Sequence, residues 1–455
     1  MSGPDLNALD RANGQRAEVS RPELLDRPTA PFRPRVLIVA ESASARFGGE
    51  AALPLHYYRV LRKRGIPVWL LSHARTRTEL SAVFPADSSI EYVDDTRLNR
   101  LMWQIGRRFP PRLSHFTFGF VSRLATQLAQ RRLARSLVEE HAINVVHQPM
   151  PVSPREPSMM FDLGAPVVIG PLNGGMDYPD AFRRRSGLLE DMVVRMGRAG
   201  SSFFNRLMPG KRRASLLLVA NPRTRAALPS GVCPRVDELV ENGVDLDLWT
   251  SKPEASCIES PSHLVRFVYL GRLVHWKGIE FLLEAFAQAS RQVPMHLLIA
   301  GDGEERQRLE SLAKSLGIAA DEGVTTRGVT FAGWMSQDAC AEALQDADCL
   351  VLPSLLECGG AVVLEAMSMA KPVIACAWGG PLDYLDSTCG ILVLPTDSES
   401  LVAGFRDAMV DLASSPDKVL ELGRAGRRKV EREYDWDVKV ERMLDLYESV
   451  QLKVH

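Results

Sequence analysis

Leu352-Pro353-Ser354-Leu355-Leu356-Glu357-Cys358-Gly359-Gly360-Ala361-Val362-Val363-Leu364-Glu365-Ala366-Met367 is the stretch on which the reading of this chain turns. It opens at the end of an apolar, strand-like run over 348–353. The glycine pair lets backbone come close to a ligand. A helix then begins, and its unclaimed N–H groups favour an anion. Strand, glycine turn and helix in this order are the signature of a parallel α/β layer. Glu357 precedes the turn, and Glu365 follows it amid Val362, Val363, Leu364, Ala366 and Met367, where a solvated charge is out of place. A carboxylate accepts two hydroxyl hydrogen bonds and so suits a pair of adjacent hydroxyls.

Working outward, Gly271-Arg272-Leu273-Val274-His275-Trp276-Lys277-Gly278 repeats the pattern. Arg272 and Lys277 flank the turn and suit a diphosphate, the arginine bidentately and the lysine as a point charge. Strands are read at 264–270, 295–300, 329–332, 348–353, 372–376 and 390–394, and helices at 278–290, 303–316, 336–345 and 360–370. The units recur about every 25–35 residues, as right-handed crossovers require. The N-terminal half has the same rhythm. A strand at 35–40 leads to Gly48-Gly49 and a helix over 50–64, and further strands are read at 66–71, 143–146, 166–169 and 215–220. The stretches 97–141 and 183–207 read as helical insertions, with Val121, Leu124 and Leu128 on one helical face. Two such sheets imply two substrates meeting between the carboxyl ends of their strands.

At 455 residues the chain is too long for one core, and two domains are the prior. With 45% hydrophobic and 24% charged residues it has the composition of a soluble globular protein, and a net charge of -1 argues against a general polyanion binder. The arginines are nevertheless clustered, with nine and no acidic residue between Arg97 and Arg135. They carry no recognisable nucleic-acid module, so a lipid surface is the better partner. Seven scattered cysteines without a C-x-x-C pair read as reduced cytosolic thiols, not as a disulfide frame or zinc site. No run reaches the ~18 apolar residues of a membrane span. Residues 1–34 read as a disordered leader and 249–263 as a linker.

The motifs fall in the order Gly271-Arg272-Leu273 with Lys277-Gly278, Ala300-Gly301-Asp302-Gly303, Phe331-Ala332-Gly333, Pro353-Ser354, the Glu357/Glu365 pair, Lys371-Pro372-Val373-Ile374 and Gly379-Gly380-Pro381. This series resembles that of the family 4 retaining glycosyltransferases, whose GT-B fold faces two Rossmann-like domains across a cleft. The match is looser in the N-terminal half. Gly48-Gly49 resembles the glycine loop that faces donor diphosphate and acceptor, and His147 the histidine near the transferred sugar. Gly170-Pro171-Leu172-Asn173-Gly174-Gly175 resembles the turn on the acceptor side. Asp383 stands where many members carry Glu, Cys358 where an aromatic or small residue is common, and Lys371 replaces a common Gly.

The resemblance implies a leader at 1–34, an acceptor-side domain over 35–245, a donor domain over 246–430 and a C-terminal helix over 431–455 that crosses back to the first domain. It implies transfer of a sugar from a UDP- or GDP-linked donor with retention, with no cofactor or metal, to a saccharide or polyprenyl- or lipid-linked acceptor at the inner face of a membrane. Arg272 and Lys277 would stabilise the leaving diphosphate, Glu357 would hold the sugar, Glu365 the ribose, and His147 would touch the sugar. Gly48, Gly49, Gly301, Asp302, Gly333, Trp334, Gly359, Gly360 and Ala361 would line the donor, with base contacts near Gly333-Trp334. Asn173, Gly174 and Gly175 would face the acceptor. A sugar-nucleotide 2-epimerase on the same frame is a rival reading, but it needs a further acid–base cluster that is not found. A non-catalytic nucleotide-sugar-binding subunit is the third, disfavoured by intact Arg272, Lys277, Glu357 and Glu365. Asp245-Leu246-Asp247 spells a D-x-D metal motif but sits between domains.

Overall fold

The computed structural model describes residues 33–109, 114–185, 200–250, 264–320 and 327–452. The expected leader and linker lie almost wholly outside these residues. Two sheets organise the chain. The first is ordered β3-β2-β1-β4-β5-β6-β7, from β1 (Val36–Val39), β2 (Val68–His73), β3 (Ile90–Val93), β4 (Val145–Gln148), β5 (Val167–Leu172), β6 (Leu216–Val219) and β7 (Val236–Glu238). The second is ordered β10-β9-β8-β11-β12-β13, from β8 (Val265–Leu270), β9 (Met295–Ala300), β10 (Gly328–Gly333), β11 (Cys349–Leu352), β12 (Val373–Cys376) and β13 (Gly390–Val393). Every paired neighbour in both is parallel.

Both faces of these strands are buried, so they read as continuous apolar runs. In β1, Val36 and Ile38 enter one core with Tyr57, Tyr58 and Val60, while Leu37 and Val39 enter the other with Leu137, Val138 and Val146. The strands missing from the sequence reading are the two edges, β3 and β7, which carry Glu91 and Asp237-Glu238. An edge strand is short and charged because only one side is paired, and this removes the apolar signal.

The described chain divides into two compact units. One contains the first sheet, with segments ending at Gly175 and Asn242 and the tail from Trp436. The other contains the second sheet, Gly243–Asp435, together with Met176–Ser186. In the first unit, helix α1 (Gly49–Lys63) follows β1, α2 (Arg97–Gly106) comes later, and a π-helical stretch, His115–Gly119, runs into α3 (Phe120–Glu140). The face expected from Val121, Leu124 and Leu128 is not the packing face. Val121 and Leu128 are exposed, and α3 instead buries Ala125, Thr126, Gln127 and Gln130 in its first half and Ala134, Leu137 and Val138 in its second. In the second unit, α4 (Ile279–Ala289), α5 (Arg306–Ser315), α6 (Gln337–Asp346) and α7 (Ala361–Ser368) alternate with the strands, and α8 (Ser398–Ser414) and α9 (Pro416–Glu433) follow β13.

The last helix, α10 (Trp436–Gln451), belongs to the first unit and buries Trp436, Val440, Met443, Tyr447 and Val450. His147, at 0% exposure on β4, clasps it. The His147 Nε2–H donates to Gly170 O at 2.7 Å, which leaves Nδ1 to accept from the Tyr447 hydroxyl at 2.8 Å. Burial holds the imidazole neutral, with its pKa lowered to about 4 although the Gly170 bond pulls the other way. Lys439, equally buried, donates to Val240 O and is lowered to about 7 by burial.

An unfolded His147 takes a proton near pH 6.5, and a folded one near 4. The unfolded chain therefore binds more protons across that window, and this histidine's contribution to stability is lost as pH falls through it. It amounts to about 3 kcal/mol at the limit. Glu365 titrates over part of the same range with opposite sign, so the difference between proteins is the readout. Thermal midpoints from pH 4 to 7 should fall more steeply on acidification for wild type than for His147→Gln.

Candidate active site

Both sheets reverse direction beside their first strand, and at such a switch point the strand ends open a crevice. In the second sheet the reversal lies between β8 and β11. The turns leaving these two strands are the ones that carry Arg272, Lys277 and Glu357.

These turns interlock through glycine. Gly278 caps α4 in a left-handed conformation (φ 64°), and a Cβ there would lie 2.6 Å from Pro353 O. Backbone N–H groups of Leu355 and Leu356 donate to Trp276 O at 2.9 and 3.3 Å. A Cβ at Gly301 would lie 1.8 Å from Gly271 O, and one at Gly303 2.3 Å from Leu273 O. Gly380 N–H donates to Glu357 O at 2.6 Å, and a Cβ at Gly380 would lie 2.3 Å from Gly359 O. The loops after β8, β9, β11 and β12 are thus in backbone contact, which no residue with a side chain permits at these points.

This zipper brings Lys277 and Glu357 into a partly buried ion pair, Nζ to Oε2. Arg272, on the same turn as Lys277, is exposed, and its carbonyl accepts from the Tyr269 hydroxyl at 3.1 Å. Gly360 begins α7 in the left-handed region (φ 71°) with no side-chain cap, so the amides from Ala361 onward are not claimed by a capping side chain. Glu365 lies on that helix with its side chain partly buried. Among the described residues no donor reaches its carboxylate, and burial pushes its pKa up to about 7. Gly333 O accepts from Gly301 N–H at 2.7 Å, and Trp334 beyond it is 77% exposed. Asp302 is exposed, 3.7 Å from Arg306, which also pairs with Glu310 at 2.8 Å.

Met176–Ser186 adds contacts that sequence reasoning did not foresee. Tyr178 Oη and His275 Nε2 are 3.2 Å apart, Trp378 Nε1–H donates to Asp177 O at 3.0 Å, and Met176 reaches Gly379. The segment has no apolar period and is polar in sequence, so nothing in its pattern signals that it leaves its own half.

In the first unit the switch point lies between β1 and β4. Gly48 and Gly49 follow β1 and are exposed, with nothing within 4 Å of a Cβ placed on either. The start of α1 has no side-chain cap. His147 corrects the expectation of contact with a sugar, because both ring nitrogens are bonded inside the fold. Asn173 is buried too. Its amide donates to Glu241 at 2.5 Å and its Oδ1 accepts from Thr224 at 3.3 Å, while a Cβ at Gly175 would strike Ala227 at 2.3 Å. Asn173 and Gly175 are therefore engaged in holding the β5 turn against the segment after β6, and Gly174 N–H joins them through Thr224 at 3.2 Å. Asp245 shapes a turn, accepting from Asp247 N–H at 3.1 Å. Among the described residues no group of three or more His, Cys, Asp and Glu side chains is arranged for a metal.

Two parallel sheets with strand-end crevices, one carrying a lysine–glutamate pair and an unclaimed carboxylate at a helix start, define a two-sheet α/β protein with a candidate ligand site. Residues 258–428 match the family described as "Glycosyl transferases group 1". The alpha-maltose-1-phosphate synthase of Mycolicibacterium smegmatis is 30% identical over 47% of this chain and 56% of its own. A GDP-mannose-dependent phosphatidylinositol monomannoside mannosyltransferase of Corynebacterium glutamicum is 28% identical over 39% of this chain and 45% of its own. The matches thus span about half the length of these curated relatives. Among solved structures, Anabaena HepE in complex with UDP covers 91% of this chain and 100% of its own at a TM-score of 0.59 and 17% identity. A glycosyltransferase from Rickettsia africae covers 92% and 99% at 0.60 and 14%. Residues 258–428 thus match a glycosyltransferase family, and the fold of the described chain is that of these GT-B structures.

The zipper has a direct test. Gly301→Ala should cost about 3 kcal/mol or more, because backbone must move. Gly48→Ala, strained in φ but not crowded, should cost about 1–2 kcal/mol. Denaturant midpoints measured side by side give the ranking.

Proposed function

We propose that this chain is a retaining glycosyltransferase that takes a UDP- or GDP-linked sugar and works without a catalytic metal. Its acceptor is a saccharide or a polyprenyl- or lipid-linked sugar, in polysaccharide or glycolipid assembly at the inner face of a membrane. The observation that carries this reading is Glu365, a partly buried carboxylate with no donor among the described residues, on the helix that starts beside the Lys277–Glu357 pair. Burying a charge without a partner is costly, so such a group is expected where a ligand completes it. Two ribose hydroxyls supply the missing donors.

The remaining parts follow from charge. As the bond from the anomeric carbon to the diphosphate oxygen breaks, its electron pair leaves on the phosphate. Arg272, Lys277 and the amides of Gly359, Gly360 and Ala361 meet that charge. Lys277 then exchanges part of its contact with Glu357 for phosphate, which frees Glu357 to take hydroxyls of the sugar. The acceptor oxygen bonds on the face the diphosphate leaves, and its proton passes to the departing phosphate oxygen, so no separate base is needed. Gly301, Asp302, Gly333 and Trp334 border the base, with Trp334 as a stacking surface. Gly48 and Gly49 have open surroundings, as a loop facing a diphosphate requires. Asn173, Gly174 and Gly175 shape the acceptor side through the turn they hold.

Lys277→Ala and Glu365→Ala should each lower kcat/KM by about a hundredfold or more with the preferred nucleotide sugar. Donor incubated alone should yield no epimer, and epimer formation would sink the transferase reading. UDP and GDP compared by thermal stabilisation identify the base.

The Glu365 carboxyl binds two hydroxyls when ionised and loses acceptor capacity when protonated. KM for the donor should therefore fall as pH rises through about 7. Glu365→Gln should have a high KM that is flat over the same range.

A further inference from the structure

Three helical stretches of the first unit, α2, the first half of α3 and residues 200–207, bury polar side chains and expose large apolar ones. In α2, Asn99 is buried and its amide donates to Ser122 O at 2.9 Å and to the hydroxyls of Ser122 and Thr126 at 2.8 and 3.0 Å. Leu98, Leu101 and Trp103 on the same helix are exposed, Trp103 at 64%. In α3, Gln127 and Gln130 are buried, with Gln130 donating to Ala40 O at 2.8 Å, while Val121 and Leu128 are exposed. Over residues 200–207, Ser201 and Asn205 both donate to Arg155 O, at 3.0 and 2.8 Å. Phe203 and Leu207 face outward at 64% and 66% exposure. The third segment adjoins α3, with the rings of Phe120 and Phe204 5.1 Å apart. A water-facing helix has the reverse arrangement, and apolar surface of this extent marks a contact face.

Charge selects the partner. Arg97, Arg100, Arg107 and Arg108 are exposed on and just after α2, and among the described residues none of the four pairs with a carboxylate. By contrast Arg123 is held by Glu156 at 2.6 Å, and Arg131 and Arg135 donate to the carbonyls of Phe161 and Asp162. Arg123, Arg131 and Arg135 are thus held within the fold and Arg132 is exposed on α3, while the four around α2 are free of carboxylates and lie among the exposed leucines and Trp103, with Arg107 over the Trp103 ring at 4.7 Å. A second copy of the chain on this face would set arginine against arginine. An open cavity of about 440 Å³ is lined by Met102, Trp103, Arg107, Phe109, Phe118 and Ser122. That volume lies within the usual range of small-ligand sites, and its apolar border suits a hydrocarbon chain.

We propose that α2, the start of α3 and residues 200–207 form a bilayer-docking face for anionic phospholipid. Leu101, Trp103, Phe203 and Leu207 enter the acyl boundary, the four free arginines hold headgroup phosphates, and the cavity admits the end of one lipid chain. The inference deepens the inner-face placement proposed above and rests on it only for the presence of a membrane.

The test uses the full chain and vesicles of phosphatidylglycerol with phosphatidylcholine, against phosphatidylcholine alone. Wild type should float with the anionic vesicles and not with the neutral ones. Leu101→Ser/Trp103→Ser/Phe203→Ser should lower the bound fraction about tenfold or more. Arg97→Gln/Arg100→Gln/Arg107→Gln/Arg108→Gln should abolish the preference for anionic lipid. Both variants should keep the thermal midpoint of wild type and its stabilisation by UDP or GDP, because none of these residues is buried. Failure of wild type to bind anionic vesicles would overturn the proposal, as would binding that either variant leaves unchanged. So would a wild-type dimer that the serine variant dissolves. Loss of nucleotide stabilisation in wild type would instead strike the glycosyltransferase reading and leave the docking face standing.

Discussion

Backbone-to-backbone contact at the strand ends is the constraint on which the candidate site depends. Four loops leave β8, β9, β11 and β12, and each touches a neighbour where a Cβ would overlap a carbonyl oxygen. Because Gly278, Gly301, Gly303 and Gly380 lack that atom, side chains far apart in sequence meet. Lys277 and Glu357 are 80 residues apart and form one ion pair. The glycines also leave the start of α7 open, so donors and acceptors face one crevice without filling it. The site is thus a consequence of main-chain packing first and of charged side chains second.

The two units use ionisable groups differently. In the first, His147 and Lys439 are buried and pushed toward neutrality by burial; His147 ties the last helix to β4 and Lys439 ties it to the segment after β7. Lys211 is another of this kind, donating to the carbonyls of Ser153 and Pro154 and lowered to about 7 by burial. In the second, Glu365 is raised by burial but has no donor among the described residues. The same desolvation accompanies satisfied structural groups in one place and an unclaimed acceptor in the other. A shifted pKa alone does not separate them; the hydrogen-bond partners do.

Much of the fold was legible. All six strands of the second sheet lie within two residues of their positions in the sequence, because buried parallel strands leave unbroken apolar runs between turn residues. The interior strands of the first sheet were equally plain, and the charged edge strands Ile90–Val93 and Val236–Glu238 were not. Periodicity placed α3 as a helix but gave it the wrong face. It assumes that the apolar stripe points inward throughout, and in the first half of α3 Thr126, Gln127 and Gln130 do so instead, before Ala134, Leu137 and Val138 restore an apolar face. His147 shows the same limit: a histidine at a strand end has the same letters whether it meets a ligand or a tyrosine 300 residues away.

By itself the sequence determined the α/β repeat, the glycine turns and the residue types at the strand ends, because these depend on local pattern and on short spacings. Only the tertiary structure decided that Glu357 is paired with Lys277 while Glu365 has no donor among the described residues. It also decided that Met176–Ser186 lies with the sheet of the other half, and that the free arginines border an apolar face. Those outcomes depend on which groups lose water and which partners they find. Burial and partnership are properties of the packed chain, so opposite results can arise from one local pattern.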